Sequence, residues 1–223
     1  MRAAIFDFDG VVVDSEPLHF EALRAALRPE GIEIDVEEYD REYLALDDRG
    51  AIRTALARHR HSPGFERVAA IAERKARLFA EMIDEIELLP GVESLARALA
   101  AEMPVAIASG ALHAEIERIL AAHGLRAAFC AIVGADDVQQ TKPHPEPYLA
   151  AMRGMARHAP GLAPLNCLVI EDSMTGIAAG LAAGMKVLAV TNSYPAERLT
   201  AAHRVLPSLA GLRPDDLRAI FRA

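Results

Sequence analysis

Four polar clusters in this 223-residue sequence each close an apolar run. Asp7-Phe8-Asp9 ends the run that begins at Ala3, and Ser109-Gly110 ends Val105–Ala108. Gly134-Ala135-Asp136-Asp137 follows Cys130–Val133 and leads on to Lys142, and Glu171-Asp172-Ser173 ends Cys167–Ile170. Brought together, Asp7, Asp9, Glu171 and Asp172 form a dense negative cluster that is costly to assemble unneutralised. A hard divalent cation resolves that cost. All-oxygen ligands with only a few carboxylates suit Mg²⁺, which keeps waters and binds substrate phosphate as well. One carboxylate can then attack phosphorus to form an aspartyl-phosphate. A second can protonate the leaving oxygen and activate water. Ser109 and the backbone N–H groups after it, near a predicted helix start, can hold phosphate oxygens. Lys142 can set positive charge against the transferring group.

Such chemistry needs elements that carry all four clusters to one place. Ala3 to Phe8 reads as a buried strand running into a loop, and a spacing of two puts Asp7 and Asp9 on the same side of a strand. Further strands are predicted at Val105–Ala108, Cys130–Val133, Cys167–Ile170, Lys186–Val190 and Arg204–Leu206. Helices between them begin near Val92, Leu112, Glu146, Thr175 and Pro195. Continuous apolar strands alternating with helices predict a doubly wound parallel sheet covered on both faces. In such sheets ligands bind beyond the carboxyl ends of the strands, which is where the four clusters fall.

From Ser15 to about Asp84 the texture changes to Ala-, Glu- and Arg-rich sequence with apolar residues at helical spacing: Leu18, Leu23 and Leu27, then Ile52 and Leu56, then Val68, Ile71, Leu78 and Met82. Residues 15–84 are therefore expected to be an all-helical module inserted after the first strand, with residues 1–14 and 85–223 forming the α/β core.

Composition narrows the function classes. A net charge of -8 and aromatics of only 5% with no Trp argue against nucleic-acid partners, which want basic surfaces and stacking platforms. Cys130 and Cys167 both sit in apolar runs and read as buried, reduced thiols. The opening MRAAIFDFDG leaves no room for a signal-peptide apolar region, and no apolar run approaches bilayer length. The expectation is a cytoplasmic protein without membrane association, and a monomer.

The motifs Asp7-Phe8-Asp9-Gly10-Val11, Ser109, Lys142-Pro143 and Glu171-Asp172-Ser173, with Asp14-Ser15-Glu16-Pro17-Leu18-His19 and the stretch from Gly176 to Gly184, resemble the haloacid dehalogenase-like (HAD) hydrolase superfamily. Within it they look like the β-phosphoglucomutase-like and sugar-phosphatase branch. The resemblance implies Asp7 as nucleophile and Mg²⁺ ligand, and Asp9 as acid/base that also offers a backbone carbonyl to the metal. It implies Asp172 as a metal ligand, with Glu171 as ligand or supporting group. Ser109, Gly110 and Lys142 would bind the transferring phosphoryl group, and the helical module would be a mobile cap. In the cap, Arg49 aligns with the mutase arginine that grips a second phosphate, whereas Ala45 stands where the mutase carries a lysine. His19 matches a histidine common in this branch and is a candidate substrate-side residue.

The expected function is Mg²⁺-dependent hydrolysis of a small phosphorylated metabolite, a sugar or polyol phosphate being the favoured class. Phosphosugar mutase chemistry is the alternative. A haloacid dehalogenase is disfavoured by the metal-site acids, and a receiver-like phosphoacceptor module by the helical insertion. A dinucleotide-binding domain is excluded, since no G-x-G-x-x-G follows the first strand.

Overall fold

The computed structural model describes residues 1–44 and 46–221. They divide into two compact units, Met1–Asp14 with Glu87 onward, and Ser15–Ile86.

The first unit is built on a parallel sheet of β1 (Ala3–Phe6), β2 (Val105–Ala108), β3 (Ala131–Val133), β4 (Cys167–Glu171), β5 (Lys186–Val190) and β6 (Arg204–Leu206). The order is β3-β2-β1-β4-β5-β6, and every neighbouring pair is parallel. β1 is central, with Ile5 opposite Ala106 on one side and Val169 on the other. All residues of β1, β2 and β4 are buried, as expected for strands covered by helices on both faces. The chain order reverses between β1 and β4, which opens a crevice there at the carboxyl ends.

The second unit holds α1 (Glu16–Leu27), α2 (Val36–Glu42), α3 (Asp48–Arg58) and α4 (Phe65–Met82). Asp35 caps α2 by accepting from the Glu38 N–H at 2.8 Å, and Asp47 caps α3 by accepting from Gly50 at the same distance. Their apolar faces share a core that includes Leu23, Leu27, Ile32, Tyr43, Ile52, Leu56 and Ile71. The chain then returns to the sheet unit through α5 (Val92–Ala100), whose buried Val92, Leu95, Ala96 and Leu99 lie on one stripe. The remaining helices of that unit are α6 (His113–Ala122), α7 (Glu146–Gly154), α8 (Met174–Ala182) and α9 (Pro214–Ile220). No helix of the described residues is long and apolar enough to cross a membrane.

The structure corrects several details. β1 stops at Phe6, so Asp7 and Asp9 do not share a strand face: Asp9 lies in the turn that follows, where Gly10 takes φ 74°. That turn is tied by Gly10 N–H to the Val13 carbonyl at 2.8 Å, a pairing that pure apolar periodicity does not reveal. The helix expected near Pro195 is only a 3₁₀ turn, Ala196–Arg198. β3 begins one residue later than expected, at Ala131. α2 and α9 were not anticipated; each spans only seven residues, too short for a clear 3.6-residue pattern.

Candidate active site

Asp7 follows β1 directly and stays in register with β4, its N–H donating to the Ile170 carbonyl at 2.9 Å. Glu171 ends β4 and Asp172 follows it, so the three acids flank the crevice where strand order reverses. Each of the three can offer a carboxylate oxygen within 4.8 Å of the others, and all are buried. Lys142 Nζ lies between them, 2.6 Å from Asp7 Oδ1 and 2.7 Å from Glu171 Oε1. It also sits 4.9 Å from the centre of the Tyr148 ring, a cation–π contact. The Lys142–Pro143 peptide is cis.

Glu171 is saturated with donors. Oε1 accepts from Lys142 and, at 2.6 Å, from the Tyr148 hydroxyl; Oε2 accepts from the N–H groups of Asp172 and Ser173 and from the Ser173 hydroxyl. Ser173 at the same time caps α8 through Gly176 N–H at 3.0 Å. A Cβ on Gly176 would collide with the Glu171 carboxylate, so the helix start is shaped to receive this side chain.

The electrostatics follow from three buried acids sharing one ammonium. Burial pushes the Asp7 carboxyl well up, Lys142 offsets this only in part, and Glu171 and Asp172 add to the rise. Burial, with repulsion from Glu171, lifts Asp172 to about 7. Glu171 is held below the usual range because Lys142, Tyr148 and the Ser173 N–H outweigh the cost of its burial. Lys142 is raised: its burial works against the charge, but Asp7 and Glu171 more than compensate. Fully ionised, the three acids would carry more negative charge than one lysine neutralises, which is why Asp7 and Asp172 resist ionising without a further cation, and the ligand atoms they offer are all oxygen. That is the environment a small hard cation fits.

On the β2 side, Ser109 is buried and its N–H donates to the Val133 carbonyl at 2.9 Å. Its hydroxyl accepts from Ala111 N–H at 3.0 Å and donates to Asp9 Oδ2 at 3.4 Å. Gly110 beside it is exposed. The loop is braced by Ala135 N–H to the Ala111 carbonyl at 2.9 Å and by His113 N–H to Asp136 at 2.8 Å. Asp7, Lys142, Glu171 and Asp172 are thus one cluster, and Asp9 and Ser109 are a second pair on the same sheet end.

His19 and Arg49 belong to the helical unit, where Arg49 is exposed in the first turn of α3. The His19 ring stacks on Phe79 with centroids 4.3 Å apart, and its Nδ1 is 2.9 Å from Lys75 Nζ. Lys75 is only 3% exposed and is also paired with Asp48. Ala45, set against the mutase lysine, lies outside the described residues.

Four residues at these sites escaped the sequence reading: Lys75, Tyr148, Asn192 and Ser193. Lys75 had a signal, since it continues the buried stripe of Val68, Ile71 and Phe79 at helical spacing. Tyr148 had none. Nor did Asn192 and Ser193, which follow β5: the Asn192 amide donates to the Gly10 carbonyl at 2.7 Å, and the Ser193 hydroxyl donates to Asp172 Oδ2.

The haloacid dehalogenase-like hydrolase family model matches residues 1–184. The chain belongs to this family. It is 34% identical over 187 residues to the fructose-1-phosphate phosphatase YqaB of Escherichia coli (strain K12), covering 83% of this chain and 94% of that protein. It is 31% identical over 218 residues to hexitol phosphatase B of the same organism, covering 96% of each. Among solved structures, β-phosphoglucomutase from Clostridium difficile superposes with a TM-score of 0.79 at 27% identity, covering 100% of this chain and 97% of that one. As in that structure, the haloacid dehalogenase-like fold here is a parallel α/β sheet with a helical segment inserted after the first strand.

Proposed function

We propose that this haloacid dehalogenase-like phosphatase hydrolyses a small phosphorylated sugar or polyol through an aspartyl-phosphate on Asp7. The observation that carries the reading is the buried cluster of Asp7, Asp172 and Glu171 around Lys142, at the strand-order reversal of the sheet. The relatives named for fructose 1-phosphate and hexitol phosphates support the substrate class.

In this reading Asp7 and Asp172 hold Mg²⁺, with the backbone carbonyl of Asp9. Glu171 fixes Lys142 and the start of α8, because its oxygens are already filled by donors. Bound there, the cation supplies positive charge that draws the phosphate to the carboxylates and lowers the repulsion between them. An Asp7 carboxylate oxygen attacks phosphorus as the bond to the ester oxygen breaks. A proton from Asp9 goes to that oxygen, and the alcohol leaves. Asp9 then takes a proton from water, the water oxygen attacks phosphorus, and the Asp7–phosphate bond breaks to release inorganic phosphate. Lys142, Ser109 and the N–H groups from Gly110 onward hold the phosphoryl oxygens while charge develops on them.

The test is inorganic phosphate release from a panel of phosphate esters, including hexose, pentose and hexitol phosphates, bisphosphates, phosphoglycolate and nucleotides. It is run with Mg²⁺ and with EDTA, with Asp7→Asn alongside. Mg²⁺-dependent release from sugar or hexitol phosphates that vanishes in the variant is expected; no release from any ester overturns the proposal. The likeness to β-phosphoglucomutase favours one second reading, phosphosugar isomerisation. It would appear as an isomerised phosphosugar in a bisphosphate-primed assay without phosphate release.

A further inference from the structure

The turn after β5 braces two acidic elements at once. Thr191 anchors it to the edge strand, its N–H donating to the Leu206 carbonyl at 3.1 Å. From that anchor the Asn192 amide reaches the Gly10 carbonyl at 2.7 Å, and the Ser193 hydroxyl reaches Asp172 Oδ2. Gly10, Asp172 and Ser193 are packed so closely that a Cβ on Gly10 would run into both Asp172 Oδ2 and Ser193 Oγ. The Asp172 carboxylate therefore has little room to turn about its own axis. One of its oxygens already accepts from a hydroxyl donor, which favours the other as the one offered to a cation.

Cations differ in what they ask of a carboxylate. Mg²⁺ demands a tight octahedral shell and takes single oxygens from its carboxylates, whereas Ca²⁺ takes six to eight oxygens and readily accepts both from one group. We propose that Ser193 is a positioning residue that keeps one Asp172 oxygen occupied, so that the carboxylate offers a cation a single oxygen and the site favours Mg²⁺ over Ca²⁺. The inference rests on the reading of Asp7 and Asp172 as the cation's ligands. Asn192 serves the same end from the other side, fixing the Asp9-Gly10 turn against which Asp172 packs.

The experiment is calorimetric titration of the full chain, cleared of metal, with Mg²⁺ and separately with Ca²⁺. Wild type, Ser193→Ala, Ser193→Thr and Asp172→Asn are compared, with circular dichroism to verify that each is folded. Ser193→Ala is expected to weaken Mg²⁺ binding about 10-fold, in the range for losing a group that orients a metal ligand. Ca²⁺ binding should hold or tighten, so that the preference for Mg²⁺ shrinks. Ser193→Thr keeps the hydroxyl and should keep the preference. Unchanged Mg²⁺ affinity in Ser193→Ala, or an equal loss for both cations, overturns the proposal. Failure of the underlying reading looks different: wild type would then bind no Mg²⁺, or would bind it as well after Asp172→Asn.

Discussion

Lys142 Nζ and Asp7 Oδ1 are 2.6 Å apart, with both side chains about nine-tenths buried. The same ammonium holds Glu171, which is fully buried. Removing it leaves two buried carboxylates without their counter-charge, and breaking a buried pair from one side costs roughly 3–5 kcal/mol. Lys142→Met is therefore expected to lose that order of stability in urea unfolding and to lose activity by at least about 100-fold. Adding Asp7→Asn should restore part of the stability and none of the activity. Two variants that destabilise additively would show that the pair does not act as a unit.

On the proposed mechanism, the roles of Asp9 and Asp7 are separable by leaving group. A nitrophenolate leaves without a proton, so Asp9→Asn should still permit transfer to Asp7 from an aryl phosphate while slowing the water step by about 10²–10⁴-fold. The expected trace is a burst of nitrophenol close to one per active site followed by slow turnover. Asp7→Asn should give no burst. A sugar phosphate, whose alkoxide needs a proton, should give no burst with Asp9→Asn either.

Three buried acids around one lysine also predict what metal removal does to the fold. Without a divalent cation, burial holds Asp7 and Asp172 above the usual carboxylate range. Mg²⁺ at 100 times its Kd should add about 2.7 kcal/mol by linkage, seen as a rise in Tm that EDTA reverses. Asp172→Asn should abolish most of that rise. A Tm unmoved by Mg²⁺ in the wild type would remove the acid cluster as the cation site.

His113 and Asp137 tie the Ser109 loop to the loop that leads to Lys142, with Nδ1 and Oδ2 2.5 Å apart. Asp137 raises the His113 pKa above its ordinary 6.5, burial opposes the shift, and Glu117 adds to it. A histidine raised in the folded state contributes stability that is complete below about pH 6.5 and is lost as pH climbs through the folded-state value. Both side chains are more than a third exposed, so the contribution is under about 1 kcal/mol. An NMR titration of the His113 ring should find the raised value, and Asp137→Asn should bring it down. A ring that titrates at its ordinary value in wild type would show that the pair does not hold in solution.

Much of this was legible in the sequence for a simple reason: a buried parallel strand must be apolar throughout, so the acids that end it are conspicuous. Asp7, Ser109, Glu171 and Asp172 could be picked out because each ends or directly follows an apolar run, whereas Lys142, well past Val133 in a polar stretch, stands out only in company with them. What stayed hidden depends on three-dimensional closure. Ser193 and Asn192 look like ordinary turn residues after Val190, and only the adjacency of β5 to β4 brings them to Asp172 and Gly10. Tyr148 reads as a helix aromatic until its hydroxyl is found on Glu171. The two-residue spacing of Asp7 and Asp9 misled because β1 ends at Phe6, and strand alternation does not extend into the turn.

Gly176 sharpens the same point. Alanine in the first turns of a helix ordinarily gains up to about 1 kcal/mol over glycine. Here α8 starts against the Glu171 carboxylate, and a methyl at position 176 would collide with it. Glu171, itself fully buried, would have to leave Lys142, Tyr148 and the Ser173 hydroxyl. Gly176→Ala is thus expected to destabilise by about 2–4 kcal/mol, since donors and an acceptor are left unmatched in the interior. Mg²⁺ affinity should fall with it, because Asp172 directly follows the displaced Glu171. Urea unfolding with and without Mg²⁺ measures both. A stabilised Gly176→Ala protein would mean that the α8 start is not held against Glu171.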